Sequence, residues 1–330
     1  MGGLKLVVRN DLDEERSMKS AGATLHYLID QGWNLGGYEN FRSLAIAAGY
    51  AERKPDDDGY GEAYDFRRYF PQHHHMKRES YFRASSAGKC PQQQCYIARD
   101  EERLRRKGEM ALTRITEPDR TPVTKRILDN GTWMHGRWHA FFNFLHVNDI
   151  VKTLCAERME QDNDLSLSGT VDRFVEFPFC GKPYRAIVDF KSISDSGFKM
   201  LASPEHEHLT QMTDYFILYE KYKPDGGILM YENRDSLELY CMDVGINQAH
   251  MQMLREQYVG MRDWVDTILE QEASGELYPR PKVPIIPTQH GCKVCPWDET
   301  CRTVEHRDER AAYIADLQVG LRGDPGPDDF

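Results

Sequence analysis

The sequence predicts an α/β fold in which a mixed central sheet is flanked by helices. Two observations support this: an order of helix, strand, strand, helix, strand, strand in the middle of the chain, and hydrophobic periodicity that changes with each element. Helices are expected at 133–147 and 205–222, where apolar side chains recur at helical spacing. Strand pairs are expected at 165–191 and 227–242, where Val, Ile, Phe and Tyr flank turn residues.

Composition divides the chain into four parts. Residues 1–50, with helical periodicity at 21–29 and 41–48, are predicted to form a small helical N-terminal extension. Residues 51–80 are rich in Asp, Gly and Arg, which predicts a linker or surface loop. Residues 81–315 form the predicted main domain and include a long amphipathic helix at 248–272. Residues 316–330 hold Gly, Pro and Asp and are predicted to be a flexible tail.

The 330 residues carry a formal net charge of −11 and no apolar run long enough to span a bilayer. With no signal-peptide pattern at the first residues, we expect a cytoplasmic protein that binds no membrane. The charge argues against a uniformly basic nucleic-acid coat, but a local positive track suffices to guide a phosphate backbone. Residues 99–126 are rich in Arg and Lys and are either such a track or a solvated helix face.

The candidate chemistry lies in the strand pair at 165–191. Asp172 belongs to the first strand, while Asp189 and Lys191 end the second and point to one face because strand side chains alternate. Two carboxylates would hold a hard cation such as Mg²⁺ or Mn²⁺, and a phosphodiester suits that cation beside an ammonium group. A solvated ion pair is the alternative explanation of the Asp-x-Lys triplet alone.

Four short motifs follow one another in a consistent order. They are Gly136-Arg-Trp-His139, Gly169-Thr-Val-Asp172, Asp189-Phe190-Lys191 and Gln211-Met-Thr-Asp-Tyr215. With these motifs, the chain over residues 84–305 resembles the RecB-like branch of the PD-(D/E)XK nucleases. The resemblance implies a restriction-endonuclease-like core and metal-dependent hydrolysis of DNA.

The same resemblance implies a role for each motif residue. His139, Asp172, Asp189 and the backbone carbonyl of Phe190 would ligate Mg²⁺ or Mn²⁺. Lys191 would be the catalytic lysine, Gln211 would position that lysine or the water, and Tyr215 would contact a substrate phosphate. His135 lies on the same predicted helix, and the spacing from Gly136 together with the family order favours His139 over it.

Eight cysteines in a protein expected to be cytoplasmic indicate metal binding or burial rather than disulfides. Cys155, Cys180 and Cys241 are expected to be small core residues. Cys292, Cys295 and Cys301 form a Cys-x2-Cys-x5-Cys set that lacks a fourth thiolate. Cys90 resembles the upstream cysteine of iron-sulfur RecB-like members, which include the CRISPR-adaptation exonucleases and phage homologues. The resemblance implies a 4Fe-4S cluster that clasps the domain; structural Zn²⁺ is the alternative, with His290 as a further ligand and Cys95 as a competitor of Cys90.

The function expected from sequence and resemblance is a metal-dependent DNA exonuclease that acts on single-stranded or linear ends. Recombination or CRISPR-adaptation proteins are its expected partners. Two alternatives remain open at this point: a structure-specific or site-specific endonuclease with the same site, and a metal-stapled recombination binding module without catalysis.

Overall fold

The computed structural model describes residues 20–33, 80–106 and 122–274. These residues fall into two compact units. The first comprises the described parts of Met1–Ala87, Asp119–Asp162 and Leu167–Gln252; the second comprises those of Gly88–Pro118, Asn163–Ser166 and Met253–Phe330. None of the helices within these described ranges combines the length and apolarity needed to cross a bilayer.

The described chain contains both helices and strands, in the following bounds. The helices are α1 (residues 21–33), α2 (Pro91–Arg106), α3 (Pro122–Val147), α4 (Asp195–Met200), α5 (His206–Tyr219) and α6 (Gln248–Ser274), with 3-10 turns at Ala84–Ser86 and Glu220–Tyr222. The strands are β1 (Phe82–Arg83), β2 (Lys152–Asp162), β3 (Leu167–Phe179), β4 (Lys182–Ile193), β5 (Gly226–Asn233) and β6 (Leu239–Val244).

All six strands form one mixed sheet in the first unit. Its order is β1-β3-β4-β5-β6, and β2 pairs with β3 outside this path. The β1–β3 and β4–β5 pairs are parallel, and the β2–β3, β3–β4 and β5–β6 pairs are antiparallel. The predicted mixed sheet flanked by helices is therefore confirmed. Because β2 occupies one edge of β3 from Leu167 to Glu176, β1 and β4 share its other edge.

The expected strand pair at 165–191 is present as the β3–β4 hairpin. Its turn lies at Cys180 and Gly181, both with a positive φ, at 50° and 73°. Glycine adopts this conformation without steric cost, which explains Gly181. Cys180 is exposed at the tip, so the expectation that it is a core residue is wrong. Cys241 is buried as expected, and Cys155 is half-buried.

Strand β2 is an element that the sequence did not predict. Its residues, KTLCAERMEQD, are largely charged or polar and carry little β-propensity. Pairing with β3 along nearly its whole length supplies the strand conformation instead. Glu160 is buried there and is stabilised by Arg158, at 2.7 Å, and by the ammonium of Lys221, at 2.6 Å.

Both faces of the sheet are covered. Helices α1 and α3 pack against one face and bury apolar side chains of β3, β4 and β5, among them Val175, Val188 and Ile228. Helix α5 approaches the sheet closely at Gly169, where an added Cβ would lie 2.9 Å from Leu218 and 3.1 Å from Tyr215. This close approach fixes α5 beside β3, next to the residues of the candidate site.

In the second unit, α2 and α6 contact one another through Tyr96 and Trp264, whose rings meet edge to face at 5.6 Å. The arginines of α2 pair with acids on the same helix: Arg103 lies 3.0 Å from Asp100, and Arg105 lies 2.5 Å from Glu102. For the described part of the basic stretch, 99–106, this pairing favours the solvated helix face over a positive track.

Several predictions concern residues outside the described ranges. They include the linker predicted at 51–80, except residue 80, the tail at 316–330 and the three clustered cysteines at 292, 295 and 301. The divisions at residues 50, 80 and 315 stay predictions.

Candidate metal centre

Four side chains from three elements converge in the first unit. His135 and His139 lie one turn apart on α3, so both face the same side of that helix. Glu157 comes from β2 and Asp172 from β3. One ligand atom from each of the four residues lies within 4.8 Å of all the others.

The histidines and acids are paired. His135 Nδ1 lies 3.1 Å from Asp172 Oδ1, and His139 Nε2 lies 2.6 Å from Glu157 Oε1. Only 4% of His139 and 7% of Asp172 are exposed. Each of these two acids, the buried Asp172 and the half-buried Glu157, is thus paired with an imidazole.

Helix α3 is fixed to the sheet by polar contacts around these histidines. The indole of Trp138 donates to the buried Glu232 at 2.8 Å, and Arg137 also pairs with that carboxylate. The buried guanidinium of Arg173 donates to Asn143 at 2.9 Å and to the backbone oxygen of His139. These contacts set the position of His139 relative to β3.

A divergence of β3 from β4 places Asp172 beside the Asp-x-Lys motif. Ladder pairing of the two strands ends at Arg173 and Val188. Beyond that point the Phe190 amide donates to the side chain of Asp172, at 2.6 Å from Oδ2, instead of to a backbone carbonyl of β3. The Phe190 ring lies on the α3 side and contacts His139 at a centroid distance of 5.4 Å.

A chain of polar contacts leads from Asp189 away from the cluster. Lys191 Nζ lies 2.6 Å from Asp189 Oδ2 and donates to Gln211 Oε1 at 2.7 Å. Gln211 Nε2 in turn donates to the hydroxyl of Tyr215 at 2.7 Å. Asp189 and Tyr215 are both 3% exposed, so this chain is largely buried.

Burial and neighbouring charge shift the pKa values of two acids, Asp172 and Asp189, and of both imidazoles. Burial raises the pKa of Asp189 to about 6, against the opposing charge of Lys191 and with a further rise from Asp172. Burial alone would raise the pKa of Asp172, but His135 and the Phe190 amide outweigh it and lower this pKa. For His135, the attraction of Asp172 outweighs burial and raises the pKa. For His139, burial and the nearby Arg173 prevail and lower the pKa.

Glu157 was not singled out by the sequence. It lies opposite Asp172 in the β2–β3 register, since Ala156 pairs with Arg173 and Arg158 with Val171. Its φ of 47° is left-handed, which is uncommon for a residue with a long side chain. No motif marks Glu157, because its neighbourhood depends on a strand pairing that the sequence did not reveal.

The donor set fits a divalent cation. Carboxylate oxygens and imidazole nitrogens ligate such ions at about 2.0–2.6 Å, so ligand atoms on opposite sides of one ion lie about 4–5 Å apart. The 4.8 Å limit among His135, His139, Glu157 and Asp172 matches this spacing. The cluster of acids would also be relieved of repulsion by a bound cation.

The structure brings together the predicted site residues of all four motifs. His139, Asp172, Asp189, Lys191, Gln211, Tyr215 and the backbone of Phe190 all lie in this region. The burial of Tyr215 favours a role in orienting Gln211, and its contact with a substrate phosphate stays a prediction. His135, which the sequence placed second to His139, joins the cluster directly.

The predicted cysteine cluster is described at Cys90 only. Cys90 is half-buried just before α2, and Cys95 is buried in that helix. Burial, and then the neighbouring Cys90, raise the pKa of the Cys95 thiol, which disfavours its thiolate. Between the two, Cys90 is therefore the better candidate ligand.

Comparison with known proteins gave a family and several similar structures. A family model described as the PD-(D/E)XK nuclease superfamily matches residues 12–302. The crystal structure of SSO0001 is 17% identical, with a TM-score of 0.38, over 72% of this chain and 93% of that chain. An alkaline exonuclease from Laribacter hongkongensis is 11% identical, with a TM-score of 0.41, over 60% of this chain and 96% of that one. Its complex with dAMP is 10% identical, with a TM-score of 0.40. No curated protein matches the chain.

Proposed function

Because this chain belongs to the PD-(D/E)XK nuclease superfamily, we propose that it is a divalent-metal-dependent DNA exonuclease that hydrolyses phosphodiester bonds at single-stranded or linear ends. The observation that carries the proposal is the meeting of the Asp189-Lys191 pair with a partly buried cluster of histidines and acids from α3, β2 and β3. If Asp189 and Lys191 formed only a structural ion pair, the four metal-ligating side chains beside it would have no explanation.

The cation-binding residues in this proposal are His139, Asp172 and Asp189, with the backbone carbonyl of Phe190. His135 and Glu157 lie against them and extend the same donor set. Mg²⁺ or Mn²⁺ is the expected ion, since carboxylates suit both and the imidazoles favour Mn²⁺ of the two. When bound, the cation supplies Lewis-acid polarisation of the phosphoryl oxygens and lowers the pKa of a water.

The residues of the chain supply orientation and charge. Lys191 presents an ammonium group beside Asp189, where it would offset the negative charge that develops on the phosphoryl oxygens. The Lys191 ammonium is held by its hydrogen bond to Gln211 Oε1. Gln211 is held in turn by the hydrogen bond that its amide donates to the Tyr215 hydroxyl. Because Lys191 and Gln211 are ordered before the substrate binds, less free energy is needed to reach the transition state.

A cleavage assay on end-labelled linear DNA with Mg²⁺ or Mn²⁺ tests the proposal. The wild type should degrade the DNA, and Asp189→Ala and Lys191→Ala should each lose about 100- to 1000-fold in rate. Lys199→Ala, which removes an exposed lysine of α4 paired with Asp195, is the matched control and should keep full activity. Cation binding without cleavage of any DNA would point to the recombination binding module instead. Cleavage of closed circular DNA would point to an endonuclease.

A further part of the proposal places the chain in the RecB-like iron-sulfur branch. Cys90, Cys292, Cys295 and Cys301 would hold a structural 4Fe-4S cluster, with Zn²⁺ as the alternative occupant. The support is the spacing of three cysteines after the nuclease motifs and one before them. Recombination or CRISPR-adaptation proteins are the partners that this branch suggests.

A further inference from the structure

We infer that the neutral imidazole of His208 donates a hydrogen bond to a phosphate of the bound DNA strand. This phosphate is the one next to the scissile phosphate. The inference rests on the proposed nuclease function and adds a substrate contact on the side of Lys191 that faces away from the metal cluster. His208 belongs to none of the motifs that identified the site.

The sheet order places His208 next to the site. Tyr231 of β5 is the register partner of Lys191 in the parallel β4–β5 pair, so the two side chains project from the same face. His208 Nδ1 lies 2.9 Å from the Tyr231 hydroxyl. On α5, His208 precedes Gln211 by three residues, and Gln211 holds Lys191.

The hydrogen bonds determine which ring nitrogen of His208 carries the proton. The buried Tyr231 hydroxyl accepts from the backbone N–H of Glu205 at 3.2 Å. Among the described residues, His208 Nδ1 is the acceptor that the proton of the Tyr231 hydroxyl can reach. The Glu205 carboxylate, at 3.6 Å from Nδ1, is too distant for a hydrogen bond. Nδ1 is therefore the acceptor and Nε2 carries the N–H.

The His208 ring is partly exposed. The His208 side chain is 23% exposed. Its Nδ1 contacts the buried Tyr231 hydroxyl, so Nε2 is the ring nitrogen left for a ligand. Burial, and then the charge of Lys191, lower the pKa of His208 to about 4. The ring is consequently neutral at physiological pH, and Nε2 is a fixed donor beside a cation, a combination that suits a phosphate oxygen.

Strand spacing indicates which phosphate is bound. Adjacent strands lie about 4.8 Å apart, so β5 lies about 10 Å from β3, which carries Asp172. A phosphate held by the metal cluster lies over β3 and β4. A donor above β5 is thus placed for the neighbouring phosphate of the same strand.

The test compares His208→Ala and His208→Gln with wild type, with His206→Ala as the matched control, since His206 lies exposed on the same helix. Binding of a single-stranded oligonucleotide is measured with Ca²⁺ as the added cation, alongside cleavage with Mn²⁺. We expect His208→Ala to weaken binding and raise KM by about 10- to 100-fold, as for loss of a hydrogen bond to a charged group. His208→Gln should recover part of this loss, and His206→Ala should match wild type.

A second measurement identifies the contact. Oligonucleotides that carry one uncharged methylphosphonate linkage, moved along the strand, are bound to wild type and to His208→Ala. At one linkage next to the cleaved bond, His208→Ala and the methylphosphonate should remove the same contact. The loss of affinity caused by both changes together should there be no larger than the loss caused by either change alone. Additive losses at every linkage, or wild-type binding by His208→Ala, would overturn the inference while leaving the nuclease proposal intact. A wild type that neither binds nor cleaves DNA would instead overturn the nuclease proposal itself.

Discussion

Glu157 illustrates how much one side chain depends on its backbone in this site. It accepts from His139 at 2.6 Å and lies opposite Asp172 on the neighbouring strand. Its left-handed backbone costs about 1–3 kcal/mol, a strain that persists only where the surroundings hold it. The pairing of β2 with β3 on both sides of Glu157 supplies that restraint.

From this geometry we predict that Glu157→Gln weakens Mn²⁺ binding by about 10- to 100-fold, the usual cost of altering a residue that orients or joins a ligand set. The amide keeps the shape of the side chain and an oxygen that can accept from His139, but it loses the negative charge that attracts the cation. Isothermal titration calorimetry on the purified protein measures the affinity. Glu176→Gln, at an exposed ion pair with Lys152, serves as the control. Equal affinity in Glu157→Gln and wild type would exclude Glu157 from the centre.

At the residue scale, the sequence located the parts of the site that are local. Asp189 and Lys191 share one strand, and Gln211 and Tyr215 share one helix, so spacing alone placed them on common faces. The spacing from Gly136 and the family order favoured His139 over His135, whereas the structure places both in the cluster. Glu157 could not be found at all, because only the β2–β3 register brings it to Asp172.

Among the elements, the contact of α5 with β3 leaves no space at Gly169. A methyl group there would lie 2.8 Å from Ala84 Cβ and 2.9 Å from Leu218. We predict that Gly169→Ala lowers the free energy of unfolding by about 1–3 kcal/mol, as for an overpacked core. It should also slow cleavage, because Tyr215, which orients Gln211, is displaced with α5. Thermal denaturation and the DNA assay measure the two effects.

Gly260→Ala is the matched control for this prediction. Gly260 lies exposed within α6, and an added Cβ would meet no atom within 4 Å. Replacing an interior helical glycine by alanine should stabilise the protein by about 0.5–1 kcal/mol. Destabilisation by both substitutions alike would contradict the packing explanation for Gly169.

Glu160 of β2 contacts Lys221 and Tyr222 in the turn after α5, and the stability that this contact contributes should depend on pH. Burial alone would raise the pKa of Glu160, but hydrogen bonds from Lys221 and Tyr222 outweigh it and lower the pKa. A lowered pKa contributes stability above the unfolded value of about 4.3, and this contribution is lost as the pH falls through the folded pKa. We predict that Glu160→Gln costs about 1 kcal/mol at pH 7 and progressively less below pH ~4.

Urea unfolding of wild type and Glu160→Gln across pH 3–7 checks this prediction. In a Lys221→Ala background the cost of Glu160→Gln should shrink, because one partner has already been removed. A cost that stays constant down to pH 3 would show that the charge of Glu160 contributes nothing.

The elements that the sequence predicted are those with a strong local signal. The β3–β4 hairpin, α5 and the β5–β6 pair have regular apolar patterns bounded by turn residues, and they appear close to their expected limits. Helix α3 begins at Pro122, earlier than expected, because proline is well tolerated in the first turn of a helix. Strand β2 has no such pattern and exists through its pairing with β3.

For the whole molecule, the proposed cysteine cluster would join segments about 200 residues apart, and ligation of this kind contributes directly to folding free energy. We predict that Cys292→Ser and Cys90→Ser lose bound iron and sulfide, solubility and nuclease activity together. Cys180→Ser, at the exposed hairpin tip, should change none of these. Absorbance and metal analysis of freshly purified protein measure the result. Bound zinc without colour would identify the alternative metal, and a folded, active, metal-free Cys292→Ser protein would exclude the clasp.

The amide of Phe190 has a consequence for how this protein can be followed in solution. Its proton is retained by the Asp172 carboxylate rather than by the β3–β4 ladder, which has already ended at Val188. Exchange of that one proton with deuterated solvent therefore reports on the state of a single carboxylate while the adjoining strand stays intact. A cation bound at Asp172 as proposed would compete for the carboxylate oxygens and change this exchange rate, so deuterium exchange at one backbone position would follow ion occupancy.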